Sequence, residues 1–145
     1  MSMPDLSKVR LVLREHLLTT VVGVTDVMVA PENRKFTPPD PTPRALWIQE
    51  HLLPDGTPQV ASRTIEGRGR AQFDVVCVQG EGTERAEALA KLIQQAFEPS
   101  THLSSQGIQI AIDRCDPAPG REFDKTWWFI PISISWRTYT QTVAV

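Results

Sequence analysis

Residues Phe73 to Ala90, FDVVCVQGEGTERAEALA, read as a strand, a turn carrying Gly80 and Gly82, and a helix. A dinucleotide-binding unit opens in that order, with the pyrophosphate resting on backbone N–H groups at the helix start. The full fingerprint is G-x-G-x-x-G, and Arg85 occupies the third glycine position. An acidic residue is also required roughly 20 residues on, at the end of the next strand. Asp113, which ends GIQIAID, lies too far along to serve. Gln72 and Asp74 do not suit a strand buried on both faces, and Glu81 and Glu84 stand where a phosphate would approach. The glycines therefore read as structural, turning a strand into a capped helix.

The remaining reactive residues are scattered. His16, His51 and His102 fall on a helix, a strand and a loop, Cys77 is mid-strand, and Cys115 is in a loop, with no metal-ligand spacing among them. No G-x-S-x-G elbow is present, and Ser133 and Ser135 have no base nearby in sequence. The loop DRCDPAPGREFD carries Asp113, Asp116, Glu122 and Asp124, but lacks the alternate-residue acid spacing of a calcium loop and reads as solvated. Arg68 and Arg70 in GRGR could touch phosphates, although two arginines make a small patch and the glycines suggest a bend.

The last strand, TWWFIPISISWRTYT, says more. Side chains alternate between faces of a strand, so Trp128, Ile130, Ile132, Ile134 and Trp136 share one face. Trp127, Phe129, Pro131, Ser133, Ser135, Arg137 and Tyr139 share the other. If helices cover the first face, the second meets a partner or is covered by the long loop before residue 44. Pro131 suggests an edge or a bulge.

These residues must be positioned by a chain of 145 residues, one domain's worth (1–145), which buries roughly 70% of its unfolded surface on folding. The formal net charge of -2 gives no basic footprint of a nucleic-acid-gripping protein. Two cysteines make no disulfide framework, no apolar stretch is long enough to span a membrane, and the N-terminus shows no secretory signal. Ser2 and Asp5 form a helix-start signal, followed by Leu6, Val9, Leu13 and Leu17 at helical spacing. VVGVTDVMVA (21–30) is an extended candidate, and PENRKFTPPDPTP is a proline-rich loop. RALWIQEHLL and the segment reaching VVCVQ make a long hairpin about Pro54–Gly56, its return strand kinked at Gly67 and Gly69. A helix follows over 83–97, capped by Thr83, with Ala86, Leu89, Ala90, Ile93 and Phe97 as its apolar stripe. The order implies an α+β fold: an antiparallel sheet with a long hairpin and two helices packed on one face.

The stretches APENRKFTPP, RALWIQEHLLP, GRAQFDVVCVQGEGTERAEALAKLIQQAF and WWFIPISISWR resemble the tail terminator family of long-tailed bacteriophages. The likeness runs from the first helix to about Tyr139. Pro31, Glu32, Asn33, Phe36 and Pro38 form its most distinctive part, and the Trp127–Trp128 pair is a departure from it. The resemblance implies a non-enzymatic virion protein without cofactors. It implies a homohexameric ring at the head-proximal end of the tail tube that stops tube polymerisation and offers a surface to a head-side connector. DNA would pass through the channel without sequence-specific binding, and no membrane is involved. The implied setting is the virion tail, and the host cytoplasm during assembly. Candidate subunit-interface residues are Asn33, Phe36, Asp55, Arg68, Arg70, Trp127, Phe129 and Tyr139. The alternatives are a tail-tube or head–tail connector component and, from another class, a small nucleotide-binding enzyme using the Gly80–Gly82 turn.

Overall fold

A computed structural model describes residues 6–22, 27–32, 36–41, 45–54, 65–80, 82–105 and 107–139, with the backbone alone at 6, 22, 53, 54, 65, 66 and 139. Helix α1 (Leu6–Leu17) runs into a single π-helical turn (Leu18–Val22). Strands β1 (Met28–Ala30), β2 (Leu46–Pro54) and β3 (Ile65–Val78) follow, then helix α2 (Glu84–Ala96). The chain closes with β4 (His102–Ser105), β5 (Ile108–Pro117), β6 (Arg121–Glu122) and β7 (Trp127–Tyr139). One sheet holds them in the order β1-β2-β3-β7-β5-β4, with β6 beside the start of β7.

The fold is α+β, but the sheet is mixed: β1 runs parallel to β2, pairing Met28 with Trp47 and Ala30 with Gln49, while every other pairing is antiparallel. Parallel neighbours cannot be joined by a tight turn and need a crossover of a dozen or more residues. The proline-rich segment between Ala30 and Leu46 is that crossover. The extended reading of 21–30 shrinks accordingly. Val21 remains helical and only Met28–Ala30 pairs.

Both helices lie on one face, as the sequence implies. Val9, Val12, Leu13 and Leu17 of α1, Val21, and Ala86, Leu89, Ala90 and Ile93 of α2 with Phe97 form one buried cluster. It includes Ile48 and Leu52 of β2, Phe73 and Val75 of β3, Ile110 and Ile112 of β5, and Ile130, Ile132, Ile134 and Trp136 of β7. Apolar residues at three- and four-residue spacing give each helix one stripe, and alternate strand residues supply the facing surface. The His16 ring ties the helices together, lying 2.6 Å from the Ala96 carbonyl and packing edge-on against Phe97 at 5.0 Å.

Two glycine positions follow from close approach. A Cβ on Gly69 would lie 2.4 Å from Trp136 Cζ2, so only glycine lets β3 cross under that ring. A Cβ on Gly120 would meet Trp128 at 1.9 Å. The kink near Gly67 and Gly69 is a register shift between Ile65 and Gly67. Pro131 sits inside the sheet rather than at its edge, opposite Asp74 of β3. Its carbonyl accepts from the Ala118 N–H at 2.8 Å. A strand residue's N–H and C=O point the same way, so the donor proline lacks would aim at the connection between β5 and β6, where the ladder is already interrupted. Thr83 does not cap α2 through its side chain; its hydroxyl donates to the Glu87 carboxylate at 2.8 Å.

Candidate assembly surface

Among the described residues, the sheet's other face carries no helix. One end of it is aromatic. Trp47 and Trp127 pack edge-on at 6.0 Å, and Phe36 of the crossover lies on Trp47 at 5.0 Å. With Ala30, Ala45 and Val76 they form a second, smaller core, against which Phe129 and Val78 pack. Each aromatic pair adds about 0.5–1.5 kcal/mol beyond the area it buries. Trp127, with an exposed fraction of 8%, is therefore buried within the chain itself, against Trp47. What remains open is Phe123, 53% exposed, stacked edge-on against half-buried Phe129 at 5.8 Å. The Arg121 guanidinium lies 5.9 Å from the Phe129 ring centre. The turn presenting Phe123 is fixed by the Asp124 carboxylate, which accepts from the N–H groups of Thr126 and Trp127 at 2.7 and 2.8 Å.

An ionic ladder anchors the crossover. Strand β1 stops at Ala30, leaving the Leu52 N–H of β2 without a strand partner, and the Glu32 carboxylate accepts it at 2.9 Å. Edge groups left unpaired invite pairing with other chains, so Glu32 seals this edge. The Arg10 guanidinium of α1 donates to Glu32 at 2.6 Å. Arg14 donates to the Glu50 carboxylate through two nitrogens, one at 2.8 Å. Glu50 is 3% exposed, and a buried carboxylate is tolerated only when paired and hydrogen-bonded. The hydrogen bond that Arg14 donates to Glu50 raises the Arg14 pKa, although burial opposes it.

Beside the ladder, on the open face, the buried Asp74 carboxylate accepts from Gln72 at 2.7 Å and meets the His51 ring at 3.1 Å. Burial raises the Asp74 pKa; Gln72 and His51 work against that rise.

The far end of this face is cationic. Arg68 and Arg70 project from β3 and are exposed. Arg68 lies directly opposite Arg137 on β7, and Ser135 is flanked by Arg70 on one side and Arg114 of β5 on the other. Arg137 pairs with Asp113, which a register irregularity between Ile112 and Arg114 releases from the ladder, and Arg114 pairs with Asp116 at 3.1 Å. Asp113 and Asp116 therefore lie in a strand, where the sequence pattern suggests an acidic loop.

The residues that opened the chemical reading are otherwise employed. Gly80 and Gly82 have φ of 85° and 89°, a left-handed backbone that favours glycine, so the turn itself accounts for both. The Glu84 carboxylate crowds Gly82. An open hollow of about 340 Å³ beside the turn is lined by Val78, Gln79, Gly80, Gly82, Thr83 and Trp128, and Arg85 is not in its wall. His102 starts β4 rather than lying in a loop. Cys77 and Cys115 are free and buried; burial, helped by Asp116, pushes the Cys115 thiol up to about 11, an unreactive state. Among the described residues, no group of three or more His, Cys, Asp or Glu side chains could hold a metal ion.

Of the candidate interface residues, the fold brings Phe36, Trp127 and Phe129 together at the aromatic end and Arg68 and Arg70 at the cationic end. Asn33, Asp55 and the Tyr139 side chain lie outside the described residues. Sequence reasoning missed Trp47, Phe123 and the Arg10–Glu32–Glu50–Arg14 ladder. The alternation of Trp47, Gln49 and His51 along β2 was the available signal for the first. Glu32 and Arg10 meet only through the crossover, and no local pattern marks them.

A mixed sheet with helices on one face and a crossover strapped partly over the other defines a small structural module. Residues 8–136 match the family model described as phage tail terminator protein, and the chain belongs to that family. This is a structural family whose members complete the phage tail and contact other tail and head components, which points to the virion tail. No curated protein sequence matches the chain. One solved structure is 20% identical, with a TM-score of 0.75 over 97% of this chain and 99% of the other, which establishes the fold alone. No helix among the described residues is long and apolar enough to cross a membrane.

Proposed function

We propose that the protein closes the head-proximal end of the tail tube as a ring of identical subunits, six by resemblance to its family, and presents a surface to the head-side connector. The reading is non-enzymatic: residues 1–145 act as one unit through faces shared between copies. The observation that carries it is the family match over residues 8–136.

The open face supports the reading physically. A ring needs a heterologous contact, with two different patches of one chain meeting head to tail and closing. Phe123 and Phe129, rimmed by Arg121, have the aromatic-and-arginine character of an interface centre. Trp127 packs edge-on against Trp47, and Phe129 rests on the cluster they form.

The test is tube polymerisation followed by turbidity, with the protein added in substoichiometric amounts. Growth stops early if the chain caps ends. Unchanged growth contradicts the reading, and assembly of the purified chain alone into long cylinders would make it a tube component instead. A thermal-shift screen with nucleotides separates the enzyme alternative at the Gly80–Gly82 hollow; no stabilisation is expected.

A further inference from the structure

Among the described side chains, the strands place five arginines on the open face, Arg68, Arg70, Arg114, Arg121 and Arg137, against three aspartates, Asp74, Asp113 and Asp116. This local excess of positive charge occurs in a chain whose formal net charge is -2. Charge is therefore segregated, and the segregation has a cost. Like charges directly opposite on neighbouring strands destabilise a sheet, and Arg68 faces Arg137 in that relation. Asp113 relieves Arg137. Among the described residues neither Arg68 nor Arg70 has an ion pair.

Neighbouring strands lie ~4.8 Å apart and alternate residues ~7 Å apart along a strand. Arg68 and Arg70 thus stand about 7 Å from each other, with Arg114 two strands from Arg70. The half-buried Ser135 offers a hydroxyl between Arg70 and Arg114, and Ser133 stands one step further along the same face, between Gln72 and Asp116. The apolar anchors of this face lie at its other end, around Trp127 and Phe129. A patch of arginines and hydroxyls without an apolar centre lacks the core of a protein–protein interface. It has the composition that contacts phosphate oxygens and carries no base readout.

We propose that this cationic end binds the phosphate backbone of duplex DNA weakly and without regard to sequence. The interaction goes beyond the capping role proposed above and belongs to the single chain, so it can be tested apart from ring formation. Labelled short duplexes of two unrelated sequences are titrated with the purified protein by fluorescence anisotropy across about 20 to 200 mM salt, a range over which phosphate binding weakens steeply.

Both sequences should bind equally, and affinity should fall with salt. Arg68→Gln with Arg70→Gln should lower the log–log salt slope by about 2, because each phosphate that an arginine no longer neutralises reduces it by about 0.9. Lys91→Gln on the outer side of α2 should leave binding unchanged. Absence of binding at the lowest salt overturns the proposal, as does equal binding by the double variant. Tighter binding to poly-glutamate, abolished in the same variant, overturns it in favour of an acidic protein partner. If the double variant no longer binds DNA but still halts tube growth, the DNA interaction stands and is separable from capping. DNA binding by a chain that fails to cap tubes leaves this interaction standing and removes the terminator reading.

Discussion

The two faces of the sheet are built from the same strands and do opposite work. The helix-covered face is continuous: Phe73, Ile132, Ile134 and Trp136 are at most 1% exposed, and α1 and α2 close over them. The open face is divided into an aromatic end half-covered by the crossover, a polar middle where half-exposed His51 meets buried Asp74, and an arginine end in solvent. The first face accounts for stability. The second leaves aromatic and cationic groups unspent, which a monomer has no use for and an assembly protein does.

Substitutions should split along that line. The largest loss is expected on the covered face. Trp136→Ala removes a ring packed directly on Gly69 and should destabilise by about 4 kcal/mol, in the range for large core truncations. Urea unfolding measures it, and a loss below about 1 kcal/mol would mean that the helix side is not the core.

Next comes the ladder joining α1 to β2. Glu50→Ala strands Arg14 against a sealed surface and should cost about 3 kcal/mol. Replacing both partners by apolar residues should recover most of it, because a buried pair contributes little over a hydrophobic pair. Failure of the double variant to recover would show that the ladder sets the crossover's path.

A smaller effect belongs to the polar middle of the open face. Asp74 has a raised folded-state pKa, so the native state holds its proton more tightly than the unfolded chain. Its contribution to stability is fully present below the unfolded value, near 3.8, and is lost as pH rises through the folded value. Asp74→Asn should therefore gain stability relative to the parent between acid and neutral pH. Parallel stability curves for the two proteins would refute the buried-carboxylate account.

The smallest effect on folding is expected at Phe123, where replacement by Ser should change stability by less than about 0.5 kcal/mol. In combination with Phe129→Ser it should nevertheless weaken self-association, read by light scattering in the presence of tail tubes. A folded double variant that still caps tubes would remove the aromatic end from the interface.

Much of this division could be read from the chain. The alternation in β7 assigned Trp128 to Trp136 to the helix side, and the stripe Ala86–Phe97 identified the face of α2, because periodicity reports directly on burial. The parallel β1–β2 pairing was not legible. A three-residue strand has too little pattern, and proline-rich loops look alike whether they hang free or cross a sheet. The burial of Trp127 against Trp47, itself covered by Phe36 of the crossover, was therefore not legible either, and Phe123, exposed on a turn, carries no periodic signal. Glu32 belonged to the most distinctive stretch of the sequence, yet its role as the partner of the Leu52 N–H arises only from where β1 ends.

Electron cryo-microscopy of tube ends capped by the purified protein addresses the central claim most directly. The account predicts one closed ring at one end of each tube, with Phe123 and Phe129 buried against the adjacent copy. Tube ends bare of the protein, or a ring joined solely through the outer sides of α1 and α2 with the open sheet face left in solvent, would contradict it.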